Sequence, residues 1–263
     1  MAGQAGILDS PEQRARWEGF QWTAENARRA KEIVSWYPEG RQVSAVIPLL
    51  DLAQRQVGAE TKTQGWLPIP VMEFVAKELD TSYIRVLEVA TFYTMFNLAP
   101  VGKVHVQLCG TTPCRLRGAD DLEKVCRSRI GEQMHVTADG KFSWVEVECL
   151  GACVNAPMIQ VGADFYEDLD AGKLNKLLDE FAAGRTPKPG PQIDRQFSAP
   201  VGGPTTLIDP AIYANGTGVG NGRAAPFIDD QAKRPGSAAN VRDAGAPQHP
   251  VGDKTQTDKP KPT

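Results

Sequence analysis

Four of the five cysteines fall into two pairs whose spacing points to one small inorganic centre. Cys109 and Cys114 bracket CGTTPC, and Cys149 and Cys153 lie within ECLGACVNAP (Glu148 to Pro157), with 34 residues between the pairs. Each pair, C-x4-C and C-x3-C, is expected at a bend beside a strand, so four sulfurs can converge. Thiolates are soft ligands that favour iron–sulfur clusters, zinc or Cu(I) over magnesium or calcium. Structural zinc knuckles space their cysteines C-x2-4-C, and these pairs sit at the loose end of that range. Plant-type ferredoxins use C-x4-C-x2-C with a distant fourth cysteine, and bacterial ones repeat C-x2-C; neither pattern occurs here. A two-plus-two arrangement suits a [2Fe-2S] core in which each pair holds one iron. A Rieske centre needs two histidine ligands, and His105, His135 and His249 show no such pairing. Zinc stays open as the structural alternative.

The fifth cysteine, Cys126, lies four residues from both Leu122 and Ile130, on the apolar side with Val125. It reads as a buried small hydrophobe. His105 and His135 read as satisfied or solvated histidines. The G-x-G-x-G stretch at 216–220 lacks the preceding strand and following helix that a phosphate-binding loop requires. No nucleotide site is therefore expected in this chain.

Bulk properties narrow the rest. A chain of 263 residues can bury one large core or two small ones. A net charge of −3 gives no electrostatic reason to expect nucleic acid. No apolar run approaches the roughly 18 residues of a membrane span. The first 20 residues have no apolar signal core, and Asp9 and Glu12 disfavour a transit peptide. The expectation is a cytoplasmic protein, or a mature form whose targeting segment has been removed. Five cysteines in this arrangement fit a reducing compartment and a metal role.

The elements that must position the cysteines follow from periodicity. Residues 1–100 read as a helical region. Thr23 caps a helix over 24–37, Ser44 opens one that runs to Gly58, a third covers 68–79 and a fourth 82–96. The last, SYIRVLEVATFYTMF, is apolar almost all round and is expected to be buried, with most of Phe92, Tyr93, Met95 and Phe96 in the core. From Lys103 the period changes. Val104 to Leu108 and Phe142 to Val147 read as strands, with a helix over 118–130 between them. A hairpin around Gly162 and a helix over 171–181, capped by Asp170, complete a β-α-β-β-β-α order. That order predicts an α+β fold, a sheet covered by helices over 101–184 in the thioredoxin-like manner. Residues 185–263 hold 12 of the 20 prolines and 10 of the 25 glycines without periodicity, a composition that predicts a disordered tail.

The motifs CGTTPC with LRG (116–118), ECLGACVNAP and the upstream EVATFYTMF (88–96) resemble the small iron–sulfur subunit of the NADH dehydrogenase module of respiratory complex I. That family, the E-type subunits of NADH-quinone oxidoreductase, consists of a thioredoxin-like [2Fe-2S] ferredoxin preceded by helices. The likeness covers about residues 20–184. It implies that Cys109, Cys114, Cys149 and Cys153 are the cluster ligands, and it leaves Cys126 and the tail outside the motif. It further implies one-electron exchange with FMN, with FMN and NADH held by a partner subunit of the complex. The helical region would then be the docking surface, and NADH oxidation would not occur in the isolated chain. A place on the inner face of the bacterial plasma membrane is implied, or on the matrix side if organellar, without direct membrane insertion. Related subunits occur in NAD-reducing hydrogenases and NAD-dependent formate dehydrogenases, and the motif alone does not separate them.

Two local expectations complete the reading. A diferric cluster with four thiolates and two sulfides carries −2, and one electron makes it −3. Arg115, Arg117 and the backbone N–H groups of Thr111-Thr112 are the candidates to moderate that charge. Pro157 stands before a strand where thioredoxin-like folds place a cis-proline, so a cis Ala156–Pro157 bond is predicted.

Overall fold

The computed structural model describes residues 10–195 and 197–201; the glycine-rich stretch at 216–220 and His249 lie outside them. The first element among the described residues is a helix that periodicity did not reveal, α1 (Pro11–Trp17). It is only two turns long, with Ser10 accepting from the Gln13 N–H and proline at its start. Its purpose is burial of one side chain. Trp17 packs edge-on against Trp66, with ring centroids 6.1 Å apart.

α2 (Ala24–Ser35) is capped by Thr23 as its sequence predicts, and it buries Ala30 and Ile33. A 3₁₀ turn, Gln42–Ala45, leads into α3 (Val46–Thr61). α3 does not stop at Gly58. That glycine lies inside the helix, where a Cβ would come within 3.0 Å of the Thr63 carbonyl. The helix needs a residue without a side chain there because the chain returns past it. α4 (Ile69–Glu78) and α5 (Tyr83–Phe92) complete the helical region around a core that includes Leu49, Leu50, Leu67, Met72 and Val86.

α5 corrects the sequence reading. It ends at Phe92, and Tyr93 is already extended, with φ −87° and ψ 110°. Gln54 explains the break. Its side chain accepts from the Asn97 N–H at 2.7 Å and donates to the Met95 carbonyl at 3.1 Å, holding the chain out of helical register. Val86, Ala90 and Phe96 are buried, whereas Ile84, Phe92, Tyr93 and Met95 face outward, Phe92 at 76 % exposure. The helix is apolar almost all round, but among the described residues only one side is buried.

The remainder is a five-stranded mixed sheet in the order β2-β1-β3-β4-β5. β1 (Val104–Cys109) runs parallel to β2 (Phe142–Val147), from Val104 opposite Phe142 to Cys109 opposite Val147. Between them lie the short helix α6 (Thr112–Leu116) and the crossover helix α7 (Ala119–Arg129). β3 (Ile159–Val161) is antiparallel to β1, and β4 (Asp164–Glu167) is antiparallel to β3. α8 (Ala171–Ala182) follows, capped by Asp170. Val106, Leu108, Trp144, Ile159 and Tyr166 meet Leu122, Val125, Leu174 and Leu178 in one core. Cys126 is fully buried there, as its position predicts, and burial pushes its thiol up to about 12.

The packed chain continues beyond 184. β5 (Gly190–Pro191) adds to the sheet beside Tyr166 and Glu167. Composition alone placed the end of the fold at 184. Two ladder pairs and a buried ion pair hold residues 190–195 against the sheet and the loop after it.

Candidate metal centre

Each pair of cysteines sits where a strand gives way to a turn. Cys109 is the last residue of β1, and its N–H donates to the Met158 carbonyl at 3.3 Å. Gly110 follows because the turn runs hard against β2: a Cβ there would lie 1.9 Å from the Glu146 carboxylate. Thr111 then caps α6, and Pro113 stands in its first turn, where a missing N–H does no harm. One turn later α6 delivers Cys114. Both sulfurs are buried, each residue being 1 % exposed.

The second pair is built differently. β2 ends at Val147, and the chain bends at Gly151, whose φ of +85° is a left-handed conformation. Cys153 opens a single 3₁₀ turn, Cys153–Asn155, and the Ala156–Pro157 bond is cis as predicted. Cys149 and Cys153 are exposed, and their sulfurs are 3.5 Å apart. Two thiolates about 2.3 Å from one tetrahedral metal stand roughly 3.8 Å apart, so this separation fits a single iron. Among the described residues no three of His, Cys, Asp and Glu group closely enough for one shared ion. A diiron core needs only that each pair serve its own metal.

The two pairs face each other across Thr111. Its hydroxyl lies 3.4 Å from the Cys109 sulfur and is near enough to Cys149 to lower that thiol's pKa. Burial pushes the Cys109 thiol up, but hydrogen bonds from Thr111, the Leu150 N–H and Cys114 outweigh it and hold the thiol below its ordinary value. Cys114 goes the other way. Burial, then its hydrogen bond with Cys109 and the charge of that neighbour, raise it to about 12. The same division recurs in the outer pair. The Gly151 N–H, the Cys153 thiol and the Thr111 hydroxyl lower Cys149, whereas its bond to Cys149 raises Cys153. Each pair therefore holds one sulfur that ionises more readily than an ordinary thiol and one that ionises less readily.

The arginines do not serve as their positions predicted. Arg115 is committed to the Gly110 carbonyl and to Asp120, Glu123 and Glu146, so it braces the turn after Cys109 and leaves no free charge for a cluster. Arg117 is exposed on the far end of α6. The backbone N–H of Thr111, in contrast, is directed at Cys109. The side-chain hydroxyl of Thr111 is a functional group the sequence did not single out; its only signal was a position between two cysteines.

The profile of the thioredoxin-like [2Fe-2S] ferredoxin family matches residues 30–182. The chain belongs to this family. The first E-type subunit of NADH-quinone oxidoreductase from Rhizobium meliloti (strain 1021) is 50 % identical over 217 residues, covering 81 % of this chain and 75 % of that protein. The E-type subunit of NADH-quinone oxidoreductase from Rickettsia bellii (strain RML369-C) is 52 % identical over 162 residues, covering 61 % of this chain and 93 % of its own. Among solved structures, an NAD+-reducing [NiFe]-hydrogenase in the H2-reduced state matches 52 % of this chain and 22 % of its own with a TM-score of 0.44 and 16 % identity. That likeness is too loose to carry an argument. The [2Fe-2S] ferredoxin family fixes the class of centre, and its relatives are those the sequence motifs resemble.

Proposed function

We propose that this chain is the electron-transfer subunit of an NADH:quinone oxidoreductase, with Cys109, Cys114, Cys149 and Cys153 holding its [2Fe-2S] cluster. The observation that carries the reading is the meeting of two sulfur pairs from separate loops across Thr111, one pair already set at a separation that suits an iron. When bound, the cluster supplies reversible one-electron storage. The protein's own work is positional. The end of β1 and α6 bury one pair and exclude water from it, while the loop after β2 brings the other to the surface. Electrons therefore enter or leave on the side of Cys149 and Cys153. N–H groups of Thr111, Leu150 and Gly151 aim at the sulfurs and stabilise their negative charge.

FMN and NADH belong to a partner subunit, which delivers one electron of a hydride pair at a time. The side of α5 and of the turn after it that is exposed among the described residues, with Ile84, Phe92 and Met95, is the docking surface of the helical region. Among the described residues no helix is long and apolar enough to cross a membrane. In this reading the chain is a peripheral subunit of the complex, on the inner face of a bacterial plasma membrane or the matrix side of an organellar one.

The test is spectroscopic, then enzymatic. The purified chain should be brown, give a rhombic EPR signal after dithionite reduction, and show no NADH oxidation until the flavin subunit is added. A colourless, EPR-silent zinc protein would refute the reading, as would NADH oxidation by the chain alone.

A further inference from the structure

The segment that follows α8 lies outside the matched family region, yet it is fastened to the loop that carries the outer cysteines. Three attachments do this. β5 pairs with β4, and the Gln192 N–H extends that ladder to the Glu167 carbonyl at 2.9 Å. Asn155, in the same 3₁₀ turn as Cys153, donates from its side chain to the Phe197 carbonyl at 3.0 Å. Arg195 forms an ion pair with Asp168 at 2.9 Å, with the two side chains only 4 % and 9 % exposed. The same guanidinium reaches the Val154 carbonyl at 3.4 Å, one residue beyond Cys153, and donates to Ala199 at 2.9 Å. Asp168 is itself tied to the turn, since its N–H donates to the Asn155 carbonyl at 2.7 Å.

A guanidinium is spent here on a buried carboxylate and the Val154 carbonyl, on or beside one short turn, and on the Ala199 carbonyl of its own segment. Such a fork suits fixed geometry better than a lysine would, because its donors are planar and pre-oriented. The turn it grips otherwise faces solvent, with Val154 68 % exposed and Cys149 and Cys153 open. A metal's outer partners set how firmly its ligands are held, and the inner pair has the core for that purpose. The outer pair has this strap.

We propose that Arg195 is a positioning residue for the cluster: with Asp168 it clamps residues 190–199 across the Cys153–Asn155 turn and fixes Cys153 toward its metal. This rests on the cysteines holding a [2Fe-2S] cluster. It also assigns a role in the centre to a segment beyond the family's matched residues.

The test compares the full-length, cluster-loaded parent with Arg195→Ala, Arg195→Lys and Asp168→Asn, all confirmed folded by circular dichroism. Iron release to a chelator should be about 10-fold faster or more in Arg195→Ala, the lower end of what loss of an outer partner does to metal affinity. Arg195→Lys should restore the release rate only in part, because it keeps the charge and loses the fork. The midpoint potential gives a readout that mere loosening would not. Asp168→Asn leaves an uncompensated cation beside the cluster loop and should raise the potential, whereas Arg195→Ala leaves an anion and should lower it. Parental release rates, EPR spectrum and potential in both charge variants would overturn the proposal. So would failure of both to fold, which would make the pair an anchor of the fold alone. A parent that holds no [2Fe-2S] cluster would overturn the ligand assignment as well, and so separates the two failures.

Discussion

On the proposed reading, the inner and outer cysteine pairs would hold one cluster from opposite kinds of ground. Cys109 and Cys114 rise from a central strand and a helix, are almost wholly buried, and are backed by Met158 and Ala119. Cys149 and Cys153 stand on an exposed bend shaped by a left-handed glycine and held from outside by Arg195. The difference teaches that one set of four sulfurs can be fixed on one side by packing and on the other by polar attachment. Packing resists solvent and deformation. Polar attachment leaves the sulfurs near the surface, where an electron partner can approach.

Removing a sulfur is the largest way to break that comparison. Alanine at Cys109 or at Cys149 should abolish the visible colour and the EPR signal of the reduced protein. The cluster-free chains should then part company. Cys109→Ala empties a buried position and should cost about 1 kcal/mol in urea unfolding, while Cys149→Ala, at an exposed one, should stay within roughly 0.5 kcal/mol of the parent. Equal losses at both positions would mean the pairs do not differ in their support.

Alkylation sharpens the same contrast without mutation. In the cluster-free chain Cys149 is both exposed and held below the ordinary thiol range by the Gly151 N–H, whereas Cys114 is buried and raised to about 12. As pH rises from neutrality, iodoacetamide should label Cys149 first. Cys114 should react slower by about 100-fold or more, as should the equally buried and raised Cys126. Mass spectrometry of peptides at timed intervals reads this directly. Uniform labelling would show that the inner pair is not shielded in the absence of metal.

How much of this could be read from the chain follows the same division. Periodicity is a property of packed elements, so β1, β2, α7 and α8 came out with their ends within a residue or two, along with the burial of Cys126. The paired cysteines were legible because their spacing is itself the chemistry. What escaped depends on contacts distant in sequence. The early end of α5 is set by Gln54, 43 residues before the Asn97 whose N–H it accepts. The outward turn of Phe92 was not legible either, because an apolar helix does not record which of its faces packs against the core. Arg115 had the charge for a cluster but is held by three carboxylates, one of them 31 residues away. The strap around Arg195 was hidden by composition, since prolines and glycines mark extended, pinned backbone as readily as they mark disorder.

The mildest effect concerns the strand beneath the inner pair. β1 carries Cys109 at its end and His105 in its middle, with the His105 ring 2.7 Å from the Ser143 hydroxyl. Its Nε2 has no hydrogen-bond partner among the described residues, and burial lowers its pKa from 6.5 to about 4. The folded chain therefore keeps this histidine neutral, while the unfolded chain protonates it near 6.5. Between those values the unfolded state binds more protons, so stability is complete above pH 6.5 and drains away as pH falls toward 4. The full shift corresponds to about 3 kcal/mol. In urea unfolding at pH 7, His105→Gln should be modestly weaker than the parent, because the Ser143 contact is disturbed. By pH 4 the variant should have gained on the parent by most of that amount, since it has nothing to protonate. Acid should therefore loosen the buried half of the site from below, through the strand that carries Cys109. Parallel pH curves for parent and variant would show that β1 accepts the charge, and that the inner pair's footing is less dry than its burial implies.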